Sequence, residues 1–185
     1  MFTRRFSQLK DSVTSCVYTS RQEIISENDA FSKSCQYIKK THDQAGIVYF
    51  VGNGGSAGIA SHFSNDLMKA LKIASLTFYD SNLMTCLSND LGYENVFSYP
   101  LERVIKQNDL LIAISSSGKS QNIVKAAQVA KDRNVPIITF TGFNAQNPLR
   151  CMGNINYWVN EADYGLVETT HFFLLHALVD LFGNT

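Results

Sequence analysis

Apolar residues return along this chain in two rhythms. Phe2, Phe6, Leu9, Val13 and Val17 recur every three or four positions, the stripe of an amphipathic helix. Ala30, Phe31, Cys35 and Ile38 predict a second helix, with Asn28 as its candidate N-cap. Residues 1–45 carry no strand signal. From residue 46 short apolar runs alternate with helical stretches. Strands are predicted at 47–51, 74–78, 109–114, 136–140 and 155–159, the first of them buried on both faces. Helices are predicted at 56–71, 82–91, 95–106, 120–132 and 165–182. The alternation predicts an α/β fold: a three-layer, doubly wound sheet of about five parallel strands, flavodoxin-like, behind an N-terminal helical pair. The chain reads as one domain over 1–185, with helices in 1–45 and the α/β core in 46–185. The two leading helices have two ways to cover their stripes: against their own domain, or against another copy in a helical bundle.

Within this frame, residues 47–71 stand out. The apolar run Ile47–Val51 meets Gly52-Asn53-Gly54-Gly55-Ser56, and a helical pattern of Ile59, Phe63, Leu67 and Leu71 follows. A strand, a glycine turn and a helix N-terminus form an anion site, because free N–H groups and the helix dipole point at the turn. His62 and Asp66 stand at i and i+4, on one face of that helix. Ligands in doubly wound sheets bind at the carboxyl ends of the strands, where this turn lies.

Composition narrows the classes. The chain is 45% hydrophobic and 17% charged, which excludes disorder. Sixteen basic and sixteen acidic residues give a net charge of zero, so no direct nucleic-acid binding is expected. No apolar run approaches the ~20 residues of a membrane span, and no apolar segment follows Arg4 and Arg5 as in a signal peptide. Cys16, Cys35, Cys86 and Cys151 form no CxxC pair and read as buried thiols of a cytoplasmic protein.

A second loop, Ser115-Ser116-Ser117-Gly118-Lys119-Ser120, follows the predicted strand 109–114 and opens a helix. Four hydroxyls and free N–H groups at a helix N-terminus suit one phosphate. The P-loop pattern is absent, and the hydroxyl-rich character favours a phosphate monoester of sugar size. A serine turn with a helix cap accounts for two of the serines and not four. Asn89 and Asp90 suit sugar hydroxyls, or else end a helix in a turn. The last predicted helix is largely apolar yet carries Glu168, His171 and His176, which need partners if buried. Glu168 and His176 are about 12 Å apart along a helix axis at ~1.5 Å per residue. One ion binds both only if the side chains lean together or come from different subunits.

The segments GNGGSAGIASHFSNDL, CLSNDLGYENVF, LLIAISSSGKSQNIVKA and YGLVETTHFFLLHALV together resemble the sugar isomerase (SIS) domain family, and within it the phosphoheptose isomerase group. The resemblance spans nearly the whole chain. It implies an aldose–ketose isomerase that interconverts sedoheptulose 7-phosphate and glycero-manno-heptose 7-phosphate through an enediol(ate), in a homotetramer with sites between subunits. It also implies heptose supply for lipopolysaccharide or capsule. By position it assigns substrate contacts to Asn53, Gly54, Gly55, Ser56, Asn89, Asp90, Ser115, Ser116, Ser117, Ser120 and Glu168. It assigns zinc (Zn2+) ligation to His62, Asp66, Glu168 and His176, and acid/base catalysis to Asp66 and His176. Two positions depart from the group: Asp66 stands for a glutamate, and Glu168 for a glutamine after a one-residue gap. These departures leave an alternative open, a non-catalytic phosphosugar-binding adaptor of the type that associates with the bacterial replication initiator.

Overall fold

The computed structural model describes residues 2–183. Met1, Asn184 and Thr185, which the single-domain expectation includes, lie outside the described residues. Seven strands form one sheet: β1 (Val17–Ser20), β2 (Glu23–Ile25), β3 (Val48–Val51), β4 (Ser75–Thr77), β5 (Leu110–Ser115), β6 (Ile137–Thr141) and β7 (Ile155–Trp158). Their order is β2-β1-β7-β6-β5-β3-β4. The five strands β3 to β7 are mutually parallel, as expected. The first of them, β3, lies between β4 and β5, so the order reverses at the β3–β5 junction. Such a switch point opens a crevice at the carboxyl ends of the strands.

The central strands β3 and β5 are apolar on both faces because helices cover both. Val48, Phe50, Ile112 and Ile114 face the layer of α2 (Glu27–Asp43), α3 (Gly55–Leu71) and α7 (Tyr164–Gly183). Tyr49, Val51, Leu111 and Ala113 alternate to the other face, under α4 (Ser81–Leu91), α5 (Ser98–Val104) and α6 (Gln121–Asp132). Burying a side chain such as Phe63 or Phe140 stabilises the fold by roughly 1.5–3 kcal/mol. The buried Asp109 carboxylate accepts from the backbone N–H groups of Ile47 (2.8 Å) and Lys106 (2.7 Å), pinning the starts of β3 and β5 together.

The N-terminal region corrects the expectation that 1–45 holds no strand. Helix α1 (Phe2–Thr14) stops before Val17, and β1 and β2 form a hairpin that adds antiparallel to β7. Arg21 and Gln22 make the two-residue turn with φ of 47° and 75°. Two consecutive positive φ values suit a twisted hairpin but are usually signalled by Asn-Gly, so the turn was hidden. Tyr18 is held by ring contacts with Phe31 and Tyr157, and the Tyr157 hydroxyl meets the Ser34 hydroxyl at 2.9 Å.

Smaller corrections follow the same logic. The N-cap of α2 is Ser26, whose hydroxyl accepts from Asp29 N–H at 3.1 Å, and Asn28 lies inside the helix. The predicted helix 95–106 is a 3-10 turn at Tyr93–Asn95 followed by α5. Asn89 and Asp90 lie in the last turn of α4, within the helix predicted at 82–91. Cys86 and Cys151 are exposed and Cys16 and Cys35 half-buried, so the thiols are not core fillers; burial lifts the Cys16 thiol to about 12. α7 is long and apolar enough to cross a membrane by length and composition, but it covers one face of the sheet beside α3. On α1 the stripe stays largely open, with Phe2 85% and Phe6 64% exposed.

Candidate functional site

The glycine turn after β3 and the serine loop after β5 meet at the switch point. They enclose a cavity of about 250 Å³ lined by Asn53, Gly54, Gly55, Ser56, Ser115, Ser116, Ser117, Ser120, Tyr164 and Glu168. Nine of these ten were expected from the sequence. Two helices, α3 and α6, begin here, so two sets of free N–H groups and two positive dipole ends face the same space. Ser120 is the N-cap of α6, yet its side chain makes no cap bond. Its hydroxyl lies 3.4 Å from that of Ser115. Among the described residues the Ser116 hydroxyl is buried without a partner, and leaving it so costs about 1–3 kcal/mol. A hydroxyl orphaned beside a cavity at two helix N-termini is placed to donate to an anion.

Two glycines shape the walls. Gly118 has φ of +62°, and a Cβ there would strike the Asn147 side chain. Gly118 N–H turns back to the Ser115 carbonyl (3.0 Å) and hydroxyl (3.2 Å), which closes the serine loop. A Cβ at Gly55 would strike the Glu168 carboxylate. The glycine therefore lets the first residue of α7's second turn approach the N-terminus of α3, where the dipole favours its negative charge.

Asn53 is held in a network that sequence reading missed. Its amide exchanges two hydrogen bonds with the amide of buried Asn122, each 2.9 Å, and its carbonyl oxygen also accepts from the Tyr93 hydroxyl at 3.0 Å. The Asn122 oxygen accepts in addition from Ile123 N–H. Asn122 follows the serine loop by two residues, and only a fold that brings β3 and β5 together makes the pair visible. Of the ten lining residues, Tyr164 is the one without an assigned role; its ring packs edge-on against Phe143.

Further along α3 and α7 lies a second cluster. His62 Nε2 is 3.2 Å from the Asp66 carboxylate, and the His62 and His176 rings are 5.2 Å apart. Ligand atoms of His62, Asp66 and His176 all lie within 4.8 Å of one another. The expected fourth member, Glu168, is not among them in this chain. Helix periodicity explains the separation: eight residues place Glu168 about 12 Å from His176 along α7, on the serine cavity instead. Asn89 and Asp90 do not line the cavity; both are exposed, with Asn89 Nδ2 donating to Asp90 at 2.8 Å. His171 plays no part in either group. It is fully buried, contacts the Thr141 carbonyl at 3.0 Å, and its pKa is pushed down to about 4 by burial.

Comparison with known proteins agrees with this fold. The SIS domain model matches residues 15–142. A phosphoheptose isomerase of Helicobacter pylori is 34% identical over 180 residues, covering 86% of this chain and 92% of that one. One from Helicobacter hepaticus is 30% identical over 168 residues, covering 88% and 85%. The structure of a phosphoheptose isomerase from Francisella tularensis superposes with a TM-score of 0.85 at 22% identity, over 100% of this chain and 95% of that chain.

Proposed function

The chain belongs to the SIS domain family and, within it, to the phosphoheptose isomerase group, and from this we propose that it is a phosphosugar isomerase whose substrate is sedoheptulose 7-phosphate. The observation that carries the reading is the orphaned Ser116 hydroxyl in a cavity closed by four serines and two helix N-termini. That end of the cavity takes the phosphate, with Ser115, Ser116, Ser117 and Ser120 donating alongside the N–H groups of α6. Asn53, fixed by Asn122 and Tyr93, and Glu168 then meet sugar hydroxyls. The Glu168 carboxylate repels a phosphate, so the phosphate lies toward α6 and the sugar toward Glu168.

The reaction moves one proton from C1 of the ketose to C2, while a hydroxyl proton passes from O1 to O2 and the carbonyl appears at C1. Asp66 and His176 supply the carboxylate and imidazole for these transfers. Aspartate is one methylene shorter than the glutamate of the group, so its reach is less. Two imidazoles and a carboxylate within 4.8 Å fit zinc, which accepts such donors and keeps a position open. His62, Asp66 and His176 would hold it, and when bound it would polarise substrate oxygens. The serine cavity and the His/Asp cluster lie two helical turns apart in one chain. Such spacing supports a complete site assembled from more than one copy, for which the open α1 stripe offers a contact surface. We read the assembly as a homotetramer supplying heptose for lipopolysaccharide or capsule.

Incubating purified protein with sedoheptulose 7-phosphate and separating the sugar phosphates by chromatography tests the assignment. An aldose 7-phosphate is expected with the parent chain and not with His176→Ala. Bound but unconverted ketose phosphate would favour the adaptor.

A further inference from the structure

At the opposite pole of the sheet from the serine cavity, the amino ends of β6 and β7 open into a basin. Two cavities of about 490 and 460 Å³ lie side by side there, sharing Arg21, Tyr37 and Lys40 in their walls. Four cations line it: Arg21, Lys33, Lys40 and Lys131. No aspartate or glutamate lines either part. In a chain of zero net charge, four cations with no acid between them are a local excess.

The fold fixes these groups from three directions. Lys33, Tyr37 and Lys40 stand at i, i+4 and i+7 on one face of α2. Arg21 sits in the β1–β2 turn, whose N–H donates to the Asn154 carbonyl at 3.2 Å, tying the turn to the start of β7. Lys131 is on the last turn of α6. Among the described residues none of the four lies within 4.0 Å of a carboxylate, although neighbouring Lys39 pairs with Asp43 at 3.2 Å. Lys131 also complements the negative end of the α6 dipole. That role does not extend to Arg21, Lys33 or Lys40, which come from other elements.

We propose that this basin is a second anion site, separate from the serine cavity, for the polyphosphate group of a small molecule. Convergent cations spread over a basin this large suit two or three linked phosphates better than one, because each phosphate then has a cation of its own. The serine cavity differs in kind: it offers hydroxyls and N–H groups to a monoester, and no lysine or arginine lines it. The half-buried Tyr37 ring beside the cations adds a flat surface for a base, as in a nucleoside triphosphate.

Calorimetric titration with inorganic tripolyphosphate, and separately with ATP, in magnesium-free buffer at 0.15 M salt tests the site. Tripolyphosphate should bind, weaken at higher salt, and persist with sedoheptulose 7-phosphate at saturation. The triple variant Lys33→Gln, Lys40→Gln, Lys131→Gln should bind it at least tenfold more weakly, at unchanged melting temperature and oligomeric mass. Ser116→Ala should leave it unchanged. ATP binding tighter than tripolyphosphate would identify a nucleotide as the source; equal affinity would identify the phosphates alone. Three results would overturn the site: no tripolyphosphate binding at millimolar concentration, binding unaltered in the triple variant, or binding lost in Ser116→Ala. A triple variant of altered oligomeric mass with intact anion binding would show the basin to be a contact between copies. None of these results depends on isomerase activity.

Discussion

Ser116 and Glu168 are the two residues on which the reading of the cavity turns. Replacing Ser116 or Ser120 by alanine removes a hydrogen bond to a charged group, worth about 1.5–3 kcal/mol. Titration calorimetry should therefore show phosphosugar affinity reduced by about one to two orders of magnitude in each variant, with the melting temperature of the unliganded protein no lower than that of the parent chain. Unchanged affinity in both would place the phosphate elsewhere. Glu168 is a carboxylate where the resemblance to the group implies a neutral amide. The exchange Glu168→Gln removes a like-charge repulsion of roughly 1 kcal/mol, so KM should fall several-fold. A higher KM would show that the carboxylate's bonds to the sugar hydroxyls outweigh its repulsion of the phosphate. The serine loop, the glycine turn and Glu168 were legible because each has a local chemical signature. Asn122 and Tyr93 were not, because an amide and a phenol gain their roles only from the residue they meet across the sheet.

At the scale of elements, α3 and α7 carry both clusters. Their His62, Asp66 and His176 should bind close to one zinc per chain, measured by elemental analysis after zinc loading and dialysis. His62→Ala and His176→Ala should each abolish it, and metal retained in both variants would refute the cluster. α7 also carries His171, whose folded pKa of about 4 lies below its ordinary value of 6.5. The unfolded chain takes up a proton below pH 6.5 that the native chain refuses until about pH 4. Stability is therefore lost as pH falls through that window, by up to about 1.4 kcal/mol per pH unit from this group. Urea unfolding at fixed protein concentration at pH 7, 6 and 5 should show a shallower pH slope for His171→Gln than for the parent chain. Parallel slopes would contradict this. The two histidines differ only by context: the pattern of α7 places both on an apolar helix, and packing alone decides which is core. The β1–β2 hairpin escaped notice for a related reason. Val17 continues the α1 stripe in sequence, and only pairing with Trp158 of β7 makes it a strand.

For the whole molecule, the parallel core was legible from the alternation of apolar runs and helical stretches, since strands buried on both faces leave no other pattern. The β1–β2 edge was not, because its strands are short and stand outside the strand–helix alternation. The sheet's polarity sorts its chemistry: hydroxyls and N–H groups at the carboxyl ends, cations at the amino ends of β6 and β7. On the function proposed above, the carboxyl-end site turns over a phosphosugar. Incubation of the protein with sedoheptulose 7-phosphate in deuterated water, followed by mass spectrometry and proton NMR, tests it most directly. Aldose 7-phosphate bearing solvent deuterium at C2 is expected from the parent chain, and its formation should be lost in Ser116→Ala and His176→Ala at subsaturating substrate. Sedoheptulose 7-phosphate that binds but is recovered without deuterium and without aldose, with zinc supplied, would contradict it.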